Sequence, residues 1–144
     1  MGLLSEACAG INHRLAAQLA EHGLGQIEFE VLLRLARSVD GQLRMTDLAA
    51  QTGLSTSGIT RVVDRLQREG LVNRRACPAD RRSLFSVITP DGRDRLALVL
   101  PGHLELIDTW FTGVLSESQL GHLLEGLRVV RAAVRPGATA GATS

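Results

Sequence analysis

The chain has 144 residues, of which 44% are hydrophobic and 22% charged, and its formal net charge is +1. This length and composition suit one domain-sized unit with a hydrophobic core. The sequence contains no apolar run of about 18 residues and no signal-peptide pattern, which excludes a membrane-spanning helix and predicts a soluble, cytoplasmic protein.

Two helices are predicted near the start of the chain. The first is amphipathic, because apolar residues recur at spacings of three and four, at Leu4, Cys8, Ile11, Leu15 and Leu19. The second, over residues 26–37, is apolar nearly all round. A helix of that kind is buried on several sides.

Residues 46–70 predict two short helices joined by a tight turn. Thr46 can cap the first helix, and Gly53 stands where a left-handed residue would end it. Ser55 can cap the second helix, which Gly70 would end.

The second of these helices has two different faces. Its apolar stripe consists of Ile59, Val62, Val63 and Leu66, and its outer face carries Ser57, Arg61, Asp64, Arg65 and Arg68. A helix packed on one side, with small polar groups in its first turn and arginines outside, can read the major groove. An ordinary amphipathic helix with a solvated charged face has the same pattern.

The next segment predicts a β-hairpin, with strands over residues 71–75 and 84–89 and a turn over residues 76–82. Its tip carries Asp80, Arg81 and Arg82. An arginine on a projecting wing can enter a minor groove, and a neighbouring carboxylate can hold its guanidinium in place. The alternative is a solubilising loop with an internal ion pair.

Charge is unevenly distributed along the chain. Residues 61–95 hold nine arginines against five acidic residues, whereas the rest of the chain holds seven arginines against ten. A basic centre between mildly acidic ends is typical of a protein that binds nucleic acid. This asymmetry favours the DNA-binding interpretation of both the helix and the hairpin tip.

Two more helices are predicted after the hairpin. Thr89 caps and Pro90 begins a long helix, in which Pro101 predicts a kink because the apolar stripe resumes in phase. Ser116 begins the last helix. The composition of residues 136–144 predicts a disordered tail.

The predicted fold is mainly α with a small β-hairpin wing, a winged helix-turn-helix flanked by N- and C-terminal dimerisation helices. Three helices outside the DNA-binding region have long apolar faces, which predicts a homodimer. A monomer whose helices wrap one core is the alternative. The divisions are residues 1–22 as the N-terminal dimerisation helix, 26–95 as the winged helix-turn-helix region, 96–135 as the C-terminal dimerisation helices and 136–144 as the tail.

No catalytic arrangement is evident in the sequence. The four histidines are scattered, and neither an H-E-x-x-H motif, a G-x-S-x-G motif nor a phosphate-binding loop occurs. We therefore expect no enzyme activity, no cofactor and no metal site.

Residues from about 20 to 100 resemble the MarR (multiple antibiotic resistance regulator) family of dimeric bacterial transcription regulators. The resemblance rests on the run LAAQTGLSTSGITRVVDRLQREGLVNRR and on the wing stretch PADRRSLFSVITPDGR. Within that stretch, the D-x-R of residues 80–82 and the T-x-x-G-R of residues 89–93 stand where the family has them.

The resemblance implies double-stranded DNA as a partner and a homodimer that binds a pseudo-palindromic site. It implies base or phosphate contacts from the second of the two short helices in residues 46–70 and a minor-groove contact from Arg82. It also implies contacts with the DNA backbone from Arg44 and Thr46, at the start of the first of these helices. The full set of predicted DNA-binding residues is Arg44, Thr46, Ser55, Thr56, Ser57, Thr60, Arg61, Arg65, Arg74, Arg75, Asp80, Arg81 and Arg82.

Regulation in this family usually involves a small, often aromatic anionic effector in a cleft between the dimer lobe and the winged helix. The resemblance implies that this cleft would be lined by His13, Arg14, Phe29 and Trp110. We therefore predict a transcriptional repressor that such an effector releases from its operator. A winged-helix module that binds a protein partner is one alternative.

A cysteine-based redox-sensing DNA-binding regulator is the other alternative. Cys8 stands roughly where the hydroperoxide-sensing branch of the family has its reactive cysteine, but that branch uses tyrosine partners and this chain has no tyrosine. Because Cys8 belongs to the apolar stripe, we expect a packed and inert thiol. Cys77, on the wing, is expected to be the more exposed of the two.

Overall fold

The computed structural model describes residues 2–77 and 80–139, with the backbone alone at residues 80–82. Nine helices and strands form its framework, here labelled in chain order: α1 Gly2–Glu21, α2 Gln26–Arg37, β1 Gln42–Arg44, α3 Met45–Thr52, α4 Thr56–Arg68, β2 Val72–Cys77, β3 Asp80–Ile88, α5 Pro90–Ile107 and α6 Glu117–Val134. Single turns of 3-10 helix follow α2 and α6, at Val39–Gly41 and Pro136–Thr139, and a π-helical turn, Asp108–Thr112, extends α5.

Helix α2 lies at the centre of the core, as its apolar sequence predicted. Its Leu32 and Leu35 are fully buried, and Ile59, Val63 and Leu66 of α4 belong to the same cluster. The cluster also takes one or two side chains from α1, α3, the strands and α5. The winged-helix lobe, from α2 to β3, therefore shares one hydrophobic core with Leu19 of α1 and with Leu96 and Val99 of α5.

The predicted hairpin is part of a three-stranded antiparallel sheet in the order β1-β3-β2. The predicted turn over residues 76–82 was too long, since β2 continues to Cys77 and β3 begins at Asp80. Strand β1 was not predicted, because three residues are too few to show an alternating pattern. It pairs Leu43 with Ser86 and so fixes the base of the wing to the start of α3.

The prediction that Cys77 is the more exposed cysteine was wrong: Cys77 is buried and Cys8 is exposed. The pairing of β2 with β3 is irregular between Ala76 and Cys77. An irregularity of this kind interrupts the regular alternation of side chains between the two faces of a strand. Cys77 is therefore buried, although regular alternation would place it with the exposed Asn73 and Arg75.

Helix α5 begins as the sequence predicted and continues through Pro101. The hydroxyl of Thr89 accepts a hydrogen bond from the backbone N–H of Gly92, at 3.0 Å. The helix brings its buried Leu96 and Val99 against the lobe and then extends away from it.

Helix α6 differs from the others in that none of its residues is buried. Ser116 and Gln119 form the capping box at its start, in agreement with the predicted helix start. The apolar stripe of α1 is likewise covered only at its C-terminal end, since Leu19 is buried whereas Leu4 and Cys8 are exposed. The expectation that Cys8 is packed was therefore wrong for the single chain.

The first part of the predicted disordered tail, residues 136–139, is an ordered 3-10 turn on α3. Arg135 donates a hydrogen bond to the backbone carbonyl of Gln51 at 2.8 Å, and Arg34 donates one to that of Ala138 at 3.1 Å. These contacts give the turn an anchor that its composition did not indicate. Residues 140–144 lie outside the described part of the chain.

Candidate nucleic-acid interface

The turn between α3 and α4 is fixed by local chemistry. Gly53 has a φ of 71°, the left-handed conformation predicted for it, and ends α3. Ser55 caps α4, accepting a hydrogen bond from the N–H of Gly58 at 3.1 Å. Thr46, by contrast, does not cap α3, because the helix already begins at Met45 and Thr46 lies in its first turn.

Helix α4 presents opposite faces to the core and to solvent. Ile59, Val63 and Leu66 are fully buried, so the helix cannot rotate without exposing them. Thr56, Ser57 and Arg61 are exposed on the other side. The core thus fixes which side chains of α4 point outward.

The small polar groups in the first turn of α4 already have local partners. The Ser57 hydroxyl lies 3.1 Å from that of Ser55, and Thr60 donates to the backbone carbonyl of Thr56 at 2.7 Å. Each hydroxyl can still accept a hydrogen bond. The guanidinium of Arg61 has neither a hydrogen bond nor an ion pair within the part of the chain that the structure describes. Arg61 is therefore available for an external anion.

The start of α3 and the first turns of α4 share one concave surface of about 450 Å³. Its lining includes Arg44 at the end of β1, Thr46 of α3, and Thr56 and Thr60 of α4. Arg74 of β2 lines it as well, so the structure brings together five of the predicted DNA-binding residues, beside the exposed Ser57 and Arg61.

Three of the predicted DNA-binding arginines make contacts within the chain. Arg65 forms ion pairs with Glu28 at 3.0 Å and Glu69 at 3.2 Å. Arg74 pairs with Asp64 at 2.6 Å and donates to Gln67 and to the carbonyl of Thr60, and Arg75 donates to Gln42. Arg74 therefore joins strand β2 to helix α4, which gives it a structural function before any DNA is bound.

One signal for the Arg65 contact was present in the sequence. Glu28 is a carboxylate between Ile27 and Phe29 in α2, and it is only 7% exposed. A buried carboxylate needs partners, and Glu28 has two, the guanidinium of Arg65 and the backbone N–H of Gly25. The residue that pairs with it could not be identified from sequence spacing.

The tip of the wing is only partly described. The backbone of residues 80–82 continues strand β3. The side chains of Asp80, Arg81 and Arg82, and residues 78 and 79 entirely, lie outside what the structure describes. The predicted minor-groove contact of Arg82 therefore stays a prediction.

A second concave surface, the α1–α5 cleft, has a volume of about 580 Å³ and includes three of the four predicted effector residues, His13, Arg14 and Trp110. The guanidinium carbon of Arg14 lies 3.7 Å from the centre of the Trp110 ring, a cation–π contact. The fourth residue, Phe29, does not line this cleft: it is buried in the core.

The neighbour of Phe29 is His103, which the sequence did not single out. The centres of the two rings are 4.4 Å apart. Burial lowers the pKa of His103 below its usual value of 6.5, because the charged imidazolium loses its hydration.

Two further features are absent from the residues that the structure describes. No group of three or more histidine, cysteine, aspartate or glutamate side chains is placed to hold a metal ion. None of the helices is sufficiently long and apolar to span a bilayer.

Comparison with known proteins gives consistent results. A sequence model described as MarR family matches residues 22–83. The HTH-type transcriptional repressor YetL of Bacillus subtilis is 32% identical over 127 residues, which cover 84% of this chain and 76% of YetL.

Two solved structures are also similar. Sco3205, a MarR family transcriptional regulator from Streptomyces coelicolor solved in complex with DNA, has a TM-score of 0.88 and 30% identity, covering 92% of this chain and 84% of its own. CouR from Rhodococcus jostii, solved with bound p-coumaroyl-CoA, has a TM-score of 0.80 and 25% identity, covering 89% and 88%.

Proposed function

This chain belongs to the MarR family, and we propose that it is a homodimeric repressor that binds a pseudo-palindromic operator and is released by a small-molecule effector. It is a DNA-binding transcriptional regulator and not an enzyme. The proposal adds the dimer, the sign of regulation and the effector to that statement, and it places the protein in the cytoplasm.

The observation that carries the proposal is the outward face of α4. Core packing fixes this face, and Arg61 on it has no partner in the described part of the chain. We assign base contacts to Ser57, Thr60 and Arg61, and phosphate contacts to Arg44 and Thr46. Arg82 is assigned to the minor groove. Arg65 and Arg74 already form ion pairs within the chain, and we assign them to holding α4 in position.

The exposed apolar side chains of α1 and α6 support the dimer. Leu3 and Leu4 are 85% and 52% exposed, and α6 exposes a row of leucines and valines. Such a surface is costly in water unless another chain covers it. In a twofold dimer the two α4 helices would lie about 34 Å apart, one turn of DNA, which requires a pseudo-palindromic site.

The first test measures binding of the purified chain to DNA that flanks its own gene, by fluorescence anisotropy at several salt concentrations. We expect a specific complex that resists competitor DNA. The logarithm of its association constant should fall linearly with the logarithm of the salt concentration. Arg61→Gln should weaken specific binding by about 1–3 kcal/mol. Absence of any specific complex at low salt would favour a protein partner instead.

Arg68→Gln is the matched control, since it removes the same charge from the exposed C-terminal end of the same helix. If both variants lose the same affinity for all DNA sequences, Arg61 contacts phosphate rather than a base. Arg82→Ala is expected to weaken binding strongly without dissociating the dimer. Unchanged affinity would remove the wing from the mechanism.

The α1–α5 cleft is the proposed effector site. Its Arg14 and Trp110 suit an aromatic anion, and CouR, a structural relative, binds an aromatic acyl-CoA. Because Trp110 is the chain's one tryptophan, its fluorescence reports binding directly. We expect 4-hydroxycinnamate to change this fluorescence and to release DNA, and Arg14→Gln to weaken both effects. A fluorescence change without DNA release would show binding with no regulatory coupling.

A further inference from the structure

A third concave surface, which we call the arginine cavity, lies between α2, the 3-10 turn that follows it, α3 and the C-terminal end of α6. Its volume is about 580 Å³, and it shares no lining residue with the α1–α5 cleft. Four arginines line it, against a single carboxylate, that of Glu30. They are Arg34, Arg37, Arg131 and Arg135.

Within the described part of the chain, one of these four arginines, Arg34, is paired with a carboxylate. Arg34 binds Glu30 at 2.6 Å and also donates to Gln51 and Ala138. Among the described residues, none of the other three guanidinium groups has a carboxylate partner. The wall of the cavity therefore carries a local excess of positive charge.

Half of the lining residues other than the four arginines are apolar. Leu33, Val39 and Leu43 contribute to it, so a bound molecule would contact both hydrocarbon and guanidinium groups. Pockets of this size commonly hold small organic ligands. Guanidinium groups recognise carboxylates through planar, paired hydrogen bonds.

DNA is a poorer match to this cavity than a small ligand. None of its lining residues comes from α4, the helix to which we assign base contacts, or from β2 and β3, which form the wing. Its concave, partly apolar wall also differs from a surface that follows a phosphate backbone.

We propose that the arginine cavity binds a small organic carboxylate with an apolar body, held by Arg37 and Arg131. A ligand there contacts α2 and α6 at once, and it lies beside the 3-10 turn that Arg34 and Arg135 hold on α3. Its occupancy would therefore tie the C-terminal helix to the helix-turn-helix. Any effect of this ligand on DNA binding rests on the proposed function, whereas binding of the ligand to the cavity does not.

The test uses the full chain without DNA and measures binding by titration calorimetry at low ionic strength. The probes are octanoate, its neutral analogue octanamide and acetate, which has the charge without the apolar body. We expect octanoate to bind more tightly than either. Arg37→Gln and Arg131→Gln should each raise the Kd for octanoate about tenfold or more.

Arg128→Gln is the matched control, since Arg128 is exposed on the same helix one turn before Arg131 and does not line the cavity. It should leave octanoate binding nearly unchanged, and melting curves should show that all three variants are folded. Equal loss in Arg128→Gln, or no loss in Arg37→Gln and Arg131→Gln, would overturn the proposal. Equal binding of octanamide or of acetate would overturn it too. Because no DNA is present, failure of the proposed repressor function would leave these results unaffected.

Discussion

The winged-helix lobe and helix α6 are both rich in leucine and valine, yet these side chains differ in their exposure to solvent. In the lobe, Leu32, Val63 and Leu66 are completely buried. In α6, Leu127 is 37% exposed and Val134 69% exposed. The core residues of the lobe are buried within a single chain, whereas α6 presents an apolar face to solvent. Amphipathic periodicity therefore identifies an apolar face without showing whether the same chain covers it.

The largest expected effect comes from breaking the proposed dimer while leaving the lobe intact. Leu127→Glu places a carboxylate in the apolar face of α6, so we expect a monomer by sedimentation. DNA affinity should fall by about 10²–10⁴, because binding of one lobe no longer holds a second lobe close to the other half-site. Arg128→Glu, which introduces the same group at the next, already polar position, should remain dimeric.

A dimeric Leu127→Glu variant would contradict the assignment of α6 to the interface. A monomer with unchanged operator affinity would instead show that one lobe suffices for DNA binding. Far-ultraviolet circular dichroism distinguishes both results from unfolding, since the core of the lobe does not include α6.

The next largest effect is expected inside the lobe. Leu66→Ala removes a fully buried side chain from the face of α4 that packs on the core, which should cost about 2–5 kcal/mol of unfolding free energy. Leu84→Ala, at an exposed position of β3, should change it by about 0.5 kcal/mol or less. Urea denaturation at one protein concentration measures both, and similar losses would contradict the assignment of Leu66 to the hydrophobic core.

A smaller effect is expected at the cap of the reading helix. Ser55→Ala removes the acceptor for the N–H of Gly58 and should cost about 1 kcal/mol. Ser57→Ala removes a neighbouring hydroxyl that caps nothing, so it should change stability little and DNA affinity more. Equal destabilisation by the two variants in urea would show that the cap contributes no more than an ordinary surface hydroxyl.

Most features governed by neighbouring residues were predictable from the sequence, although Thr46 does not cap α3 as predicted. Gly53, Ser55 and Ser116 have their partners within a few positions, so their functions in the turn and the caps follow from local spacing. The burial of α2 was likewise evident from its composition, and the order of helices and wing followed from periodicity.

Features that depend on distant contacts were not predictable in the same way. Arg65 pairs with Glu28 across 37 positions, and Arg74 pairs with Asp64 in another element. Residues 136–139 looked disordered because their anchors, Arg34 and Gln51, lie about a hundred residues earlier. For the candidate site, the sequence identified the exposed face of α4 but could not separate the free arginine from the paired ones.

The smallest expected effect concerns His103, where α5 meets the core of the lobe. Its imidazole is 9% exposed and packs against Phe29, and burial lowers its pKa below 6.5. The unfolded chain therefore binds a proton at this residue more readily than the folded chain does. The associated stability is fully present above about pH 6.5 and is lost as the pH falls towards the folded pKa, by no more than about 1.4 kcal/mol per pH unit.

Comparison of variants isolates this contribution from that of other titrating groups. His103→Phe keeps an aromatic ring against Phe29 but cannot be protonated, so its unfolding free energy should fall less steeply than that of the parent chain between about pH 7 and pH 5. His122→Gln, at an exposed position of α6, should follow the parent curve. Parallel curves for all three proteins would mean that His103 is protonated as easily in the folded chain as in the unfolded one. Protonation would then place no strain on the contact between α5 and the lobe, and acid would destabilise the molecule elsewhere.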